Sequence, residues 1–224
     1  MTTQHINDTM TDPTNRTRLR EAATSAFAEN GFHATTTRDI AAAAGMSPAA
    51  LYIHHRSKQD LLHVISRDGH QEVLQLVRDA SASSGGPEDR LAEVIRALAA
   101  YHAENHTIAR TVNYEIHSLS PAQQAEIGGL RTAVLREVQA VVEDGVEAGV
   151  FDAPDPELTT LVLLSLCVDI SRWYEQDRPW SPGELSDYAS VVALNAVRPR
   201  SGQRIDAATR QPSTRSASER MATR

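Results

Sequence analysis

A capping residue followed by proline recurs along the chain, and this pattern constrains the fold more than any other feature. Four such dipeptides are Ser47-Pro48, Ser120-Pro121, Asp155-Pro156 and Ser181-Pro182. A Ser or Asp side chain can accept from the free N–H groups of a first helical turn, and proline fits the first position because no N–H is needed there. Each dipeptide therefore predicts the start of a helix.

Other start and stop signals divide the rest of the chain in the same way. Thr36 is followed three residues later by Asp39, close to a capping box, and Ser57 and Asp60 repeat the spacing. No segment of useful length has the period of a strand, so we predict an all-α fold of about nine helices. The predicted helices cover 14–30, 37–44, a short segment from Pro48, then 57–80, 88–105, 107–119, 120–149, 155–176 and 181–197.

The composition agrees with a helical protein and excludes several classes. Hydrophobic residues make up 41% of the chain but aromatic residues only 4%, so alanine and leucine build most of the core. The single cysteine, Cys167, excludes an internal disulfide framework or a zinc finger. No apolar run approaches the ~20 residues that span a bilayer, and the N-terminus lacks a signal-peptide pattern. We therefore expect a soluble, cytoplasmic protein.

The charges are unevenly distributed along the chain. Residues 1–68 carry seven basic and seven acidic residues, 69–197 carry eight and 20, and 198–224 carry seven and two. The acidic middle argues against broad wrapping of nucleic acid but allows a small contact by the first segment. The polar segment 1–13 and the Arg/Ser-rich tail 198–224 are predicted to be disordered. The tail is either an inert end, which we favour, or a source of non-specific DNA affinity.

Two short helices joined by a glycine turn, with a third packed across them, have the shape of a helix-turn-helix DNA reader. Ala41 and Ala44 allow the two helices to approach closely, and Gly45 permits the turn. The apolar residues of 37–55 can form a shared core: Ile40, Ala41, Ala44, Met46, Leu51 and Tyr52. The segment therefore predicts DNA binding.

The same segment resembles a known family. "ATTTRDIAAAAGMSPAALYIHHRSKQDLL" is similar to the DNA-binding segment of TetR-family transcriptional regulators, whose pattern reads roughly T-T-x-R-D-I-A-x-x-A-G-V-S-x-G-x-L-Y-x-H-F-x-S-K-x-x-L. The matching positions are Thr36, Thr37, Arg38, Asp39, Ile40, Ala41, Ala44, Gly45, Ser47, Leu51, Tyr52, His54, Ser57, Lys58 and Leu61. The resemblance implies a head over 14–68, with its motif at about 37–56, and a helical ligand-binding and dimerisation domain over 69–197.

The resemblance also implies the DNA contacts. Phosphate contacts are expected from Thr37, Ser47, Tyr52, His54 and Lys58, which are hydroxyl or imidazole donors or a cation near helix N-termini. Arg38 can make a bidentate contact with guanine. The exposed face of the recognition helix is apolar, so we expect it to read thymine methyls and shape; its residues are Pro48, Ala49, Ala50 and Ile53. For Thr36, Ser47 and Ser57 the alternative is helix capping alone, and for Tyr52 it is a place in the core.

Three positions depart from the family pattern. Met46 replaces a valine, which is a mild core change, and Ala49 stands where glycine is frequent. His55 replaces a phenylalanine that anchors the head, so the anchor is smaller and more polar. We therefore expect a somewhat looser head.

In the C-terminal part, the resemblance implies a homodimer and a ligand cavity. Two apolar stripes support the dimer, because they exceed what one chain's core needs: Leu158, Leu161, Val162, Leu163, Leu164, Leu166, Val168 and Ile170, then Val191, Val192, Leu194 and Val197. Candidate cavity residues on inward-facing positions are Tyr101, Tyr114, His117, Cys167 and Arg172. Each also has a structural interpretation, as core residue or surface ion pair.

The identity of the ligand stays open between two classes. "DISRWYEQDRPWSPGELSDYASVVALNAV" resembles the C-terminus of the TetR branch that senses acyl-CoA thioesters. Cations for the CoA diphosphate at the cavity mouth would come from Arg110, Arg131, Arg136, Arg172 and Arg178. The alternative is a hydrophobic drug-like or metabolite effector. Repression is expected, with activation not excluded.

Two alternatives belong to other functional classes. His102 and His106 are four residues apart, as in a helical metal site, but Glu104 is not at the position that H-E-x-x-H requires. We expect these histidines to be solvated on an exposed helix face, and we predict no enzyme, cofactor or metal. A helical adaptor that binds only protein would leave the grouping of Arg38, Tyr52, His54 and Lys58 unexplained.

Overall fold

The computed structural model describes residues 13–199, and within that range nine α-helices and one 3-10 helix form without any strand. The prediction of an all-α fold is confirmed. The predictions for 1–12 and 200–224 fall outside the described residues. The helices are α1 (Pro13–Asn30), α2 (Thr37–Ala43), α3 (Pro48–His54), α4 (Lys58–Ser81), α5 (Pro87–Glu104), α6 (His106–Tyr114), α7 (Pro121–Glu147), α8 (Pro156–Trp173) and α9 (Pro182–Val197).

The helix starts lie where the capping residues predict them. The side chains of Ser47, Ser120, Asp155 and Ser181 each accept from a backbone N–H in the first turn of the helix that follows. Thr36 and Asp39 form a complete capping box, since the Asp39 carboxylate also accepts from the Thr36 backbone N–H at 2.9 Å. Local hydrogen bonding therefore sets these boundaries.

The predicted single helix over 107–119 is wrong in its second half. α6 ends at Tyr114, and a 3-10 helix covers Glu115–Ser118. A 3-10 helix has three residues per turn, which brings residues three apart to the same side. Ile116 and Leu119 thereby both pack into the core of the N-terminal part. Two other ends come earlier than predicted, at Glu147 and Trp173.

Two hydrophobic clusters organise the molecule. The first joins α1–α4 through residues such as Phe27, Ile40, Leu51 and Leu61, and it also includes Val112, Leu119 and Ile127 from the C-terminal part. The second lies among α4, α5, α7, α8 and α9. α4 contributes to both clusters, so the N-terminal head and the C-terminal body pack directly on each other along this helix.

Gly45 makes the turn between α2 and α3. Its φ is +67°, in the left-handed region that side chains with a Cβ rarely adopt. The Ala44 carbonyl beside it accepts from Nη2 of Arg18 on α1 at 2.6 Å. The turn is thereby held against α1, which fixes the angle between the two short helices.

Candidate nucleic-acid interface and ligand cavity

α2 and α3 present one continuous exposed surface. Arg38 and Ile53 are exposed, and the Thr37 and Tyr52 hydroxyls lie 3.1 Å apart across the two helices. Tyr52 is 54% exposed, so it belongs to this surface and not to the core. Pro48 and Ala49 lie on the same outer side, with Ala50 half-buried. Two hydroxyls, a guanidinium and a small apolar patch are thus placed together.

Of three further predicted DNA contacts, two have hydrogen-bond partners inside the head and one does not. The Ser47 Oγ accepts from the Ala50 N–H as the cap of α3. Lys58 Nζ donates to the carbonyls of Phe32, His33 and Thr35 at 2.6, 3.2 and 2.9 Å, and it lies 4.4 Å from the Phe32 ring centroid. An ammonium has three N–H donors, so Lys58 uses all of them to hold the α1–α2 loop. His54 is half-buried, and its Nε2 has no partner among the described residues.

His55 occupies the anchoring position of the head and is buried there. It is 3% exposed; its Nδ1 lies 3.3 Å from Asp60 Oδ2, and its Nε2 is buried without a partner among the described residues. Burial lowers the pKa of His55, although Asp60 acts in the opposite direction. The imidazole of His55 therefore takes the place of an apolar anchor and leaves one buried nitrogen without a hydrogen bond.

A cavity of about 930 Å³ lies within the body, between α4, α5, α6, α7 and α8, and it reaches α1 through Arg20 and Thr24. One part of its wall is apolar. Its buried residues include Ile65, Leu98, Val112, Val134 and Cys167, and the half-buried Val73 and Leu164 extend it. The other part is lined by four exposed residues, Arg131, Thr132, Tyr114 and Arg172, and by the half-buried Asp169. The cavity thus has an apolar interior and a polar mouth, as small-molecule sites commonly have.

Arg131 is fixed at the mouth by neutral groups. Its Nε donates to His70 Nε2 at 3.0 Å, and its Nη2 donates to Asn113 Oδ1 at 3.1 Å. His70 Nδ1 in turn donates to the Ser66 carbonyl at 2.7 Å, which leaves Nε2 as an acceptor. Burial lowers the pKa of His70 to about 4, so the ring is neutral at physiological pH.

Two further polar groups line the interior. The Tyr101 hydroxyl donates to Glu72 at 3.3 Å, and burial raises the pKa of this phenol. His102 Nδ1 donates to the Leu98 carbonyl at 2.8 Å, and burial lowers the pKa of its imidazole. Both side chains are uncharged at neutral pH, so they offer hydrogen bonds without charge.

The structure brings four of the five predicted cavity residues together. Tyr101, Tyr114, Cys167 and Arg172 all line the cavity. The prediction that His117 faces inward is wrong, because it is exposed on the 3-10 helix and does not line the cavity. Arg172 donates to Asp169 at 2.6 and 2.8 Å, and burial raises the pKa of Cys167 to about 12, which keeps it a thiol.

The expectation for the histidine pair on α5 and α6 is also wrong. His102 is buried, and His106 is half-buried, donating from Nδ1 to the Ala103 carbonyl at 2.8 Å. His102 lies inside the fold because α5 packs between α4, α8 and α9, and His106 at the start of α6 is partly covered. Sequence reasoning also missed His70, Glu72 and Asn113 as cavity residues, since each lies on an amphipathic helix where polar residues usually face solvent.

Two properties of the described residues concern other possible functions. No described helix is long and apolar enough to cross a membrane. Between residues 13 and 199, no three His, Cys, Asp or Glu side chains are grouped as metal ligands would be.

Comparison with known proteins identifies the family. The model described as "Bacterial regulatory proteins, tetR family" matches residues 19–65, and "Tetracyclin repressor-like, C-terminal domain" matches residues 84–197. The transcriptional repressor KstR2 of Rhodococcus jostii is 31% identical over 78% of this chain and 86% of its own length. Repressors of this family bind operator DNA as dimers.

Solved structures agree with the sequence matches. A bacterial regulatory protein of the tetR family from Rhodococcus RHA1 is 35% identical, with a TM-score of 0.79 over 84% of this chain and all of that one. AibR, solved with isovaleryl coenzyme A and operator DNA, is 19% identical and shares the fold, with a TM-score of 0.72 over 83% of this chain and 98% of AibR. The chain therefore belongs to the tetR family of bacterial regulatory proteins, and it is a ligand-responsive, DNA-binding transcriptional repressor, not an enzyme.

Proposed function

We propose that this repressor binds a two-fold operator through α2 and α3, and that a CoA thioester in the cavity releases it. The observation that carries the proposal is the cavity, which combines an apolar interior with arginines at its mouth and extends to α1 of the head. AibR supports the ligand class, since it was solved with an acyl-CoA and operator DNA on the same fold. We further propose that the protein acts in the cytoplasm.

The proposed domains follow the two hydrophobic clusters. Residues 14–68 are the DNA-binding head and 69–197 the ligand-binding and dimerisation body. The shared helix α4 carries both the head core and the cavity wall, since Leu61 packs in the first cluster and Val73 lines the cavity. A ligand that shifts α4 therefore moves the head with it. The two binding events then disfavour each other reciprocally, typically by ~1–3 kcal/mol.

The proposed DNA contacts use the exposed surface of α2 and α3. Arg38 is assigned to a guanine, and Thr37, Tyr52, His54 and Ser47 to phosphates. Ile53 and the small residues Pro48, Ala49 and Ala50 are assigned to thymine methyls. Lys58 belongs to this set by its position, but its three carbonyl partners support a structural role.

The proposed dimer face lies on α8 and α9. Apolar side chains that are 37–70% exposed in the single chain cover it: Leu158, Leu161, Val162, Leu166, Val168, Tyr188, Val191 and Val192. Helices of this kind from two subunits can close a four-helix bundle. Dimerisation also places two heads on successive major grooves, as a two-fold operator requires.

A gel-shift experiment tests the proposal. Purified protein is titrated against the intergenic DNA beside its own gene, with a scrambled competitor, and with acyl-CoAs of increasing chain length. We expect specific binding that one or more thioesters relieve, whereas free CoA does not. Specific binding that no thioester changes would overturn the ligand class, and an absence of specific binding to this DNA would overturn the assignment of the operator to this site.

A further inference from the structure

We infer that the effector carries a negatively charged group and that Arg131 is the residue that contacts it. The inference rests on the proposed function of the cavity and specifies its ligand as an amphipathic anion. The apolar part of the ligand lies along the buried wall, and its anionic group lies at the mouth.

The arginines near the mouth differ in what they contact. Arg110, Arg136 and Arg178 do not line the cavity. Arg20 is paired with Asp68 at 2.7 Å, and Arg172 makes a two-point contact with Asp169. Of the described arginines that line the cavity, Arg131 alone has no carboxylate partner.

The partners of Arg131 hold its guanidinium in place without neutralising it. His70 and Asn113 are both uncharged acceptors, and together they use one hydrogen on Nε and one on Nη2. A guanidinium has five N–H donors, so the Nη1 group and one Nη2 hydrogen remain available. The planar group is thus oriented in advance for a two-point contact with a carboxylate or phosphate.

The electrostatics of the mouth favour an anion at this position. Arg131 is exposed at the mouth, but partial desolvation lowers the pKa of its guanidinium. The carboxylates that line the cavity already have partners: Asp68 and Asp169 pair with arginines, and Glu72 accepts a hydrogen bond from Tyr101. A partly desolvated charge is costly unless it is paired. A ligand anion supplies the pairing that the chain does not.

The contact also reaches the helix that carries the head. Arg131 lies on α7 and His70 on α4, so their hydrogen bond joins these two helices at the cavity wall. An anion that binds Arg131 competes with His70 for the guanidinium. His70 is accordingly a positioning residue, and loss of its hydrogen bond to Arg131 changes a contact of α4 directly.

A pair of fluorescent probes tests the inference independently of the natural effector. 8-Anilinonaphthalene-1-sulfonate is an amphipathic anion, and N-phenyl-1-naphthylamine has the same aromatic system without the sulfonate. Both are titrated into the full chain and into Arg131→Gln, Arg131→Lys and the matched control Arg136→Gln. We expect Arg131→Gln to weaken binding of the sulfonate about tenfold while leaving the amine within twofold.

The controls separate a contact from a folding effect. Arg136→Gln should change the binding of neither probe by more than about twofold, because Arg136 is exposed on the same helix as Arg131 but does not line the cavity. Arg131→Lys should retain part of the sulfonate affinity, since it keeps the charge but not the fork. Equal sulfonate binding by the wild type and Arg131→Gln overturns the inference, and so does a parallel loss for both probes.

Three thioesters then locate the charge on the effector. Decanoyl-CoA carries phosphates, decanoyl-pantetheine has no anion, and the monothioester of decanedioic acid with pantetheine carries a carboxylate. If Arg131→Gln loses affinity only for decanoyl-CoA, Arg131 contacts the phosphates of the effector. If it loses affinity only for the diacid thioester, Arg131 contacts a carboxylate. Unchanged affinity for both contradicts the inference. If no thioester releases operator DNA but the sulfonate depends on Arg131, the anion contact stands and the ligand class in the proposed function is wrong.

Discussion

Arg20 on α1 and Asp68 on α4 form an ion pair with Nη1 and Oδ2 at 2.7 Å, and both residues line the cavity. The pair therefore joins the DNA-binding head to the helix that walls the ligand site. Its side chains are 42% and 31% exposed, so its direct contribution to stability is small, about 1 kcal/mol or less. Its position makes it a link between the two sites.

Removal of this pair is expected to weaken the coupling between ligand binding and DNA binding, with little effect on the stability of the fold. In Arg20→Gln, the free energy of unfolding should fall by less than about 1 kcal/mol, whereas the ratio of operator affinities without and with the most effective thioester should fall severalfold. Urea unfolding and fluorescence anisotropy of labelled operator measure the two quantities. An unchanged affinity ratio would show that the pair does not transmit the signal.

Arg38 is expected to specify one base pair. Arg38→Ala should cost about 1–3 kcal/mol on the preferred operator and relax the preference at a single G·C position. Binding to operators with each base pair substituted in turn measures this, with Arg136→Ala as a control that removes an exposed cation from the body. An equal loss on all operators would assign Arg38 to a phosphate.

A variant of Lys58 tests whether this residue has a structural role or contacts a phosphate. Lys58→Met removes the ammonium that bonds three carbonyls of the α1–α2 loop, and we expect a loss of about 2–3 kcal/mol in unfolding free energy. The dependence of operator affinity on salt concentration should change little. A salt slope that falls by about one unit without loss of stability would instead make Lys58 a phosphate contact.

Gly145 is expected to tolerate no side chain. A Cβ at this position would lie 1.9 Å from Cδ2 of the Phe151 ring, which is buried. Gly145→Ala should therefore destabilise the body by at least about 1–3 kcal/mol. Gly129→Ala on the same helix meets no atom within 4 Å and should stabilise by roughly 0.5–1 kcal/mol. Thermal unfolding of both variants provides the comparison, and similar transition temperatures would contradict the close contact with Phe151.

Stability is expected to decrease as the pH falls. The pKa of His70 is about 4 in the folded chain, against 6.5 for an ordinary histidine, so the unfolded chain binds more protons between these values. The unfolding free energy should therefore be fully present above pH 6.5 and should decrease by about 2 kcal/mol between pH 7.5 and 5 from this residue. His55 and His102 act in the same direction, since burial lowers the pKa of both.

A histidine variant tests that assignment. His70→Gln should reduce the pH dependence of urea unfolding, and His117→Gln, at an exposed position, should not. A pH dependence that is the same in His70→Gln and the wild type would show that another group causes it.

The short-range features of this protein were determined by the sequence alone. Ser47, Ser120, Asp155 and Ser181 cap helices within three residues of themselves, so the helix starts follow from local hydrogen bonding. The turn at Gly45 depends on the backbone freedom of that one residue. The DNA-reading segment is equally local, and for this reason the family could be identified from it.

The ligand site was decided by the tertiary structure. Arg131, His70 and Asn113 lie on three different helices, and no spacing along the chain indicates that they meet. The sequence alone predicts an exposed position for His102, but α5 packs among α4, α8 and α9, and this packing buries the side chain. A helical sequence shows which residues share a face, but the side of each helix that lines a cavity depends on how all of the helices pack together.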